Sequence, residues 1–433
     1  MNWKSEYKTL LWIVGLFLFA FFLPMQNPQF RQSVFDALAL TKWYAQEHVL
    51  LCLVPAFFIA GTIAVFISQA SVIKYFGAGA KKWLSYAVAS VSGSILAVCS
   101  CTVLPLFSGI HKRGAGLGPA IAFLYSGPAI NILAIILTAR VLGLKLGIAR
   151  VIGAVVFAIV IGLIMHFFYR KEEQEKAAAQ LAMPQEDDGR PFWQTAFHFI
   201  VLVGILVFAT WGEASSNTGL WAWMYAHKWT LVIGFGLLLM YSLIRILEIA
   251  WWQVGLGAAA VLVTGIFFPG HSQLTFSVAV IALGTILSVN PGEPAEWISE
   301  TWTFTKQIMP LLGVGVLVAG FLLGMPGSSG GIIPDQWIAS VVGGNSLGAN
   351  FFASIVGAFM YFATLTEIPI LQGLMSNGMG QGPALALLLA GPAVSLPNLL
   401  VIRSVIGTQK TSVFFVLVVV MATISGMIFG VMI

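Results

Sequence analysis

Charge is scarce in this chain. Asp, Glu, Lys and Arg together make up 9% of its 433 residues, where a soluble globular domain carries roughly a quarter. Too little polar surface remains to solvate a water-soluble fold, and a mean hydropathy of +0.93 points to a polytopic membrane protein. Cysteine is rarer still. Cys52, Cys99 and Cys101 are the only three, too few for a disulfide scaffold. The six histidines show no i,i+3 or i,i+4 pairing, so no local metal site is written in them. A phosphate-binding loop is also missing. Gly114-x-Gly-x-Gly118-Pro119 lacks the preceding strand and the Lys-Ser/Thr pair, and reads as a flexible connection whose proline opens the next helix. These absences argue against an enzyme, a bound cofactor or metal, and a nucleotide-driven pump. The net charge of +5 is spread through short loops, the pattern of cytoplasmic anchoring and not of nucleic-acid binding.

What the chain has in quantity is apolar runs near the length of a membrane span. Segments at about 9–24, 49–68, 119–139, 148–169, 193–211, 229–247, 252–268, 274–289, 307–324, 383–402 and 411–432 predict about eleven transmembrane helices. The first lacks a small-residue cleavage site and runs into Pro24, Asn27 and Pro28, so it reads as an uncleaved anchor. The expected organisation is an anchor helix and interfacial segment over 1–47, a first repeat over 48–170, and a charged cytoplasmic linker over 171–191. A middle transmembrane block over 192–306 and a second repeat over 307–433 follow. Trp221, Trp223 and Tyr225 suit an aromatic belt. Arg245 and Glu248 suit an i,i+3 ion pair at a helix end.

Two further apolar segments, about 83–110 and 349–375, open a duplicated motif. Cys99-Ser-Cys101-Thr102-Val-Leu-Pro105, Gly109, Gly114-x-Gly-x-Gly118-Pro119-Ala120 and Gly127-Pro128-Ala129 form the first copy. Ala363-Thr-Leu365-Thr366-Glu367-Ile-Pro369, Gly373, Gly378-x-Gly-x-Gly382-Pro383-Ala384 and Gly391-Pro392-Ala393 form the second, offset throughout by 264 positions. Repeated hydrophobic segments broken by Gly and Pro are a mark of transporters and point to the binding site. Breaks at Pro105 and Pro369 would free backbone groups that survive at membrane depth only inside protein or beside a polar cavity. The alternative is that Gly and Pro merely permit close helix packing.

Loop charge separates two topologies. With the N-terminus cytoplasmic and both broken segments re-entrant, 15 of the 21 basic residues face inward, and only Arg31, Lys42, Arg140, Lys145, Arg150 and Lys228 face out. If both segments cross, the split is 11 to 10. The positive-inside rule prefers the re-entrant arrangement, which makes the two repeats inverted.

Candidate site residues follow from the breaks. At an unwound turn Cys99 and Cys101 could both reach one soft, thiophilic ligand, with Cys52 completing a three-thiol cage; alternatively all three are small buried hydrophobes. Glu367 replaces Val103 of the first copy. A carboxylate at membrane depth must pair, protonate or line water, so it is a proton-coupling or substrate-facing candidate, or else it caps amides at the membrane edge. Thr102, Thr366, Asn131 and Asn398 could be ligands or could satisfy carbonyls freed by the breaks. With Pro105, Gly127, Pro128, Pro369, Gly391 and Pro392 they complete the expected substrate site.

The Cys99-Ser-Cys101…Pro105 block, the Gly-rich turn, Ala120-x-Ala122-Phe123-Leu124 and Gly127-Pro128-Ala129-Ile-Asn131 resemble the predicted permease family that includes organoarsenical efflux permeases. The resemblance covers about 50–170 and 307–433. This chain differs in its longer middle block and in carrying Thr102 where a small residue is expected. The resemblance implies a multi-pass inner-membrane permease, and its arsenical branch implies efflux of trivalent organic arsenicals past nearby thiols. The expectation is thus an all-α secondary transporter whose partners are a small-molecule substrate and the lipid bilayer, with a homo-oligomer left open. A passive channel, or a transporter of another sulfur-type or metabolite solute, is the alternative.

Overall fold

In the computed structural model, the residues described are 3–66, 81–96, 100–130, 132–181, 191–212, 219–325, 331–332, 341–359, 367–376 and 378–433. Among them the regular secondary structure is helical, with one isolated bridge, Gly343 to Met379. Six helices are long and apolar enough to cross a membrane, seven if Gln381–Val394 and Leu396–Ile406, bent by 45°, count as one span. Three shorter apolar helices, Trp193–Ala209, Trp251–Phe267 and Leu347–Phe359, accompany them. The chain is therefore a multi-pass helical membrane protein in which proline and glycine cut several expected spans into pieces.

An exposed first helix α1 (Trp3–Phe21) precedes α2 (Pro28–Tyr44), which continues through a π-helical stretch, Ala45–Leu53, into α3 (Val54–Phe66). The resulting 39-residue rod is about 58 Å long at 1.5 Å per residue, so it outreaches the bilayer core. Repeat 1 continues with α4 (Lys82–Leu96), α5 (Ser100–Lys112), α6 (Leu117–Ala129), α7 (Ile132–Val141) and α8 (Leu144–Phe168). Next come α9 (Arg170–Leu181) and the middle block: α10 (Phe192–Ala209), α11 (Leu220–Ala226), α12 (Lys228–Arg245), α13 (Trp251–Phe267) and α14 (Ser272–Val289). Repeat 2 has α15 (Glu293–Leu323), α16 (Leu347–Phe359), α17 (Glu367–Ser376), α18 (Gln381–Val394), α19 (Leu396–Ile406) and α20 (Thr408–Met432).

The sequence duplication is a structural one. Moving α6, α7 and α8 forward by 264 positions lands on the first residues of α18, α19 and α20, and α8 and α20 both have 25 residues. The side-chain geometry repeats too. Helices α6 and α8 cross where a Cβ on Gly162 would stand 2.7 Å from the Gly118 carbonyl oxygen. In the second copy, α18 and α20 cross where a Cβ on Gly426 would stand 2.6 Å from the Gly382 oxygen. Such contacts require glycine, because only a missing Cβ lets two backbones meet this closely. Tyr86 in the first copy and its counterpart Asn350 in the second lie against these crossings.

The two repeats interlock. Helix α5 packs on α19 and, reciprocally, α17 packs on α7. Helices α8 and α20 are neighbours and run antiparallel, since Lys410 at the start of α20 pairs with Glu172 just past the end of α8 at 2.6 Å. The adjacent Glu173 carboxylate accepts a hydrogen bond from the Leu117 N–H at the head of α6, 2.6 Å, where a negative group complements the helix dipole. The expected linker thus begins as a helix whose first turn is bound to both repeats. The α2–α3 rod lies antiparallel to α15: Gly320 sits on Ala37 and Leu40 at one end, and Gly61 sits on Trp297 and Thr301 at the other. Trp297 Nε1 donates to the Phe58 carbonyl at 2.8 Å. The middle block is tied in through His198 of α10, whose ring meets those of Trp297 and Phe66 and whose Nδ1 is 2.7 Å from Ser242 Oγ of α12. Elsewhere that block presents bare apolar side chains such as Ile233, Leu237, Leu262, Ile266 and Ile281, as lipid-facing helices do.

Three expectations change. Pro105 does not break a helix, because it lies within α5. A 45° bend comes instead at the end of α18, just after the second Gly-Pro pair, where Ser395 is in an extended conformation, and α6 likewise ends just past the first pair. Arg245 and Glu248 make no ion pair: α12 ends at Arg245 and Glu248 has φ of 54°, so the helical i,i+3 geometry does not exist there. Arg150, assigned by loop charge to the outer face, lies inside the bundle.

Candidate functional site

The polar centre of the molecule is built where the two repeats meet. Arg150 projects from α8 near its start and is fully buried, and Glu367 opens α17 and is fully buried as well. Arg150 Nη2 lies 2.5 Å from Glu367 Oε1. The guanidinium also donates from Nη1 to Thr138 Oγ1 of α7 at 2.9 Å and, more weakly, from Nε to the Ala129 carbonyl at 3.4 Å. That carbonyl belongs to the Gly127-Pro128-Ala129 end of α6, so the break supplies an acceptor to the cation. Thr138 is held by its own bond to the Ala134 carbonyl, 2.6 Å. Among the described residues Glu367 Oε2 has no hydrogen-bond partner.

A buried ion pair is a poor source of stability, since desolvating two charges consumes most of their attraction. Its retention in an apolar bundle calls for another reason. The pair is also not demanded by the duplicated fold. At the equivalent positions stand Phe414 and Val103, both buried in one apolar core. One repeat interface carries charge where its counterpart carries hydrocarbon.

Next to the pair, Tyr125 of α6 donates to the Leu389 carbonyl of α18 at 2.7 Å. Residues 125 and 389 are equivalent in the two copies, so this bond lies close to the axis that relates them. Tyr125→Phe should lower unfolding free energy by about 1 kcal/mol, the usual net worth of such a bond, as measured by chemical denaturation in detergent. No change would mean that the helices are held by packing alone.

The expected site residues divide into three groups. Glu367, with the Gly127-Pro128 end of α6, joins the charged centre. Gly391 and Pro392 lie buried at the end of α18, and Asn398 donates its amide to the Pro392 carbonyl at 3.2 Å, acting as a satisfier of the break. Its Oδ1 and the nearby Ser395 Oγ are buried without a hydrogen-bond partner among the described residues. Thr102 and Pro105 are buried on α5. Cys99, Asn131 and Thr366 lie outside the described residues, and Cys101 and Pro369 are placed only by their backbones, in α5 and α17. Cys52 is buried in the π-helical stretch. Among the described residues no three His, Cys, Asp or Glu side chains gather as a metal site.

Sequence reasoning missed Arg150, Thr138 and Tyr125. The clue was available for the first. A lone arginine inside the apolar run of 144–168 needs an acidic partner, and Glu367 already needed a basic one.

Comparison with known proteins matches residues 34–431 to the family described as predicted permease. The UPF0718 protein MJ0584 of Methanocaldococcus jannaschii is 41% identical over 390 residues, covering 90% of this chain and 93% of that protein. The UPF0718 protein YraQ of Escherichia coli K12 is 22% identical over 307 residues, covering 71% of this chain and 56% of that protein. No solved structure matches the chain significantly.

Proposed function

This chain belongs to the predicted permease family, and from that premise we propose that it is a secondary transporter of the inner membrane, with its N-terminus in the cytoplasm. It moves a small solute between two inverted repeats. The observation that carries this reading is the reciprocal packing of α5 on α19 and α17 on α7, which seats a helix of each repeat's proline-bearing segment against the other repeat, with a buried charge pair at the second of these contacts. Inversion is supported by α8 and α20. An axis that exchanges two antiparallel neighbouring spans runs across them, in the plane of the bilayer. The re-entrant topology is supported by two contacts. Lys410 touches Glu172, and the Gln29 amide donates to the Ile332 carbonyl at 3.1 Å. Both pairs fall on the same side when segments 83–110 and 349–375 turn back, and on opposite sides when both cross.

As substrate we propose a small solute, with trivalent organoarsenicals or other thiol-reactive species the first candidates through Cys99 and Cys101. Energy comes from an ion or solute gradient. The test is flux in proteoliposomes, paired with a resistance panel across methylarsenite, arsenite and sulfur compounds in cells lacking their own exporters. Saturable flux against a gradient is expected, and flux linear in concentration would leave a passive channel. If no soft compound separates wild type from Cys101→Ser, the arsenical reading fails.

A further inference from the structure

We infer that Arg150 is an anion-binding residue, and that the solute site holds an anionic group in exchange for Glu367. This rests on the inter-repeat reading of the site above. The argument starts from what must happen when the repeats move. Glu367 belongs to α17 of repeat 2 and Arg150 to α8 of repeat 1, so relative motion separates the ion contact. Glu367 can be neutralised by one proton. Arg150 cannot lose its charge, because a guanidinium stays protonated at any physiological pH. A bare cation would then remain in a bundle that packs apolar side chains around it, the costliest of outcomes. An incoming anion removes that cost. The balanced step is therefore Glu367 carboxylate plus one proton giving the neutral acid, while an anion takes the vacated guanidinium edge. One proton and one anion enter together and the site's net charge is unchanged.

The surroundings fit this exchange. No other titratable side chain of α17 or α18 competes for the proton, since neither helix contains one besides Glu367. Helix α6 contributes Tyr125, whose hydroxyl is engaged with Leu389. Helix α7 contributes Thr138, held against Arg150, and carries Arg140 two residues further on. Beyond Arg150, α8 has Lys145 near its start and His166 near its far end. The guanidinium engages Thr138 and Ala129 through Nη1 and Nε, which fixes its plane, and it presents the Nη2 edge to the carboxylate. A planar or tetrahedral oxyanion is the shape such an edge grips. Phe414 and Val103 at the equivalent positions show that the repeat packs without these charges, so the pair is an addition for chemistry and not a requirement of the scaffold.

The test uses the full-length protein in detergent, probed with sodium acetate, sodium sulfate and sodium chloride at matched ionic strength, with thermal unfolding as readout. Glu367→Gln leaves Arg150 without its partner and should be stabilised by acetate or sulfate at concentrations at least tenfold lower than wild type needs. The double variant Arg150→Gln/Glu367→Gln should lose that response. Equal responses of all three proteins, or none, overturn the proposal. If Glu367→Gln does not accumulate, wild-type proteoliposomes with an internal pH dye decide. Sulfate entry above that of protein-free vesicles and accompanied by one proton per anion supports the exchange, and entry without protons, or no entry above that of protein-free vesicles, overturns it. Saturable flux of a neutral solute with no anion response would sink this inference alone. An anion response without any flux would sink the transporter reading and leave the site standing.

Discussion

Arg150→Met should strip most of the folded protein from the membrane, and Arg150→Met/Glu367→Leu should restore it. Removing one member of a fully buried ion pair leaves the other charge stranded, a loss of about 3–5 kcal/mol, while replacing both with apolar side chains of similar size is often neutral or better. Here both side chains are fully shielded and the equivalent pair, Val103 and Phe414, is already apolar, so the sign of the rescue is clear. Fluorescence-detected size exclusion after detergent extraction measures it. Transport should behave in the opposite way. The double apolar variant should fold and yet move no solute, and Glu367→Gln should lose the pH dependence of flux. Full transport with unchanged pH dependence in Glu367→Gln would remove this carboxylate from the mechanism.

Gly162→Leu and Gly426→Leu should each prevent a stable fold, and the milder Gly162→Ala should cost about 1–3 kcal/mol, the range for overpacking a close contact. Each crossing brings a backbone carbonyl within 2.7 Å of where the new Cβ would sit. A carbonyl of the facing helix cannot rotate aside as a side chain can. Gly234→Ala in α12 is the control, for nothing lies within 4 Å of its Cβ position. There alanine should be neutral or stabilising by up to about 1 kcal/mol, through helix propensity alone. Thermal stability of purified wild type, Gly162→Ala and Gly234→Ala, together with the yield of folded protein for the two Leu variants, checks the contrast. Equal effects at Gly162 and Gly234 would mean that the crossing is looser than its geometry implies.

The duplication was legible in sequence because Gly and Pro are tied to backbone shape, and shape repeats even where side chains diverge. Gly118 and Gly382 occupy the same place in both copies for that reason, and so do the Gly-Pro pairs that end α6 and α18. The place of the bend was harder to read. Pro105 looks like a break, yet a helix tolerates proline when neighbouring groups satisfy the freed carbonyl, and no single-chain pattern reports those neighbours. The need of Glu367 for a partner was readable from charge alone. Its partner was not, because loop counting assigned Arg150 to a surface. Hydropathy weighs residues along a line, and the pairing joins positions more than two hundred apart on different helices. The Arg245–Glu248 reading failed on a local matter: spacing implies a helix, but the chain leaves the helix at Arg245.

The grip of α9 on both halves has a mechanical consequence. Glu173 holds the head of α6 and Glu172 holds Lys410 at the head of α20, so one corner of the molecule is riveted across the boundary between its two repeats. A swing that keeps both rivets pivots there, with little displacement nearby and the widest travel at the far leaflet. Cutting the rivets would free the near side to gape as well.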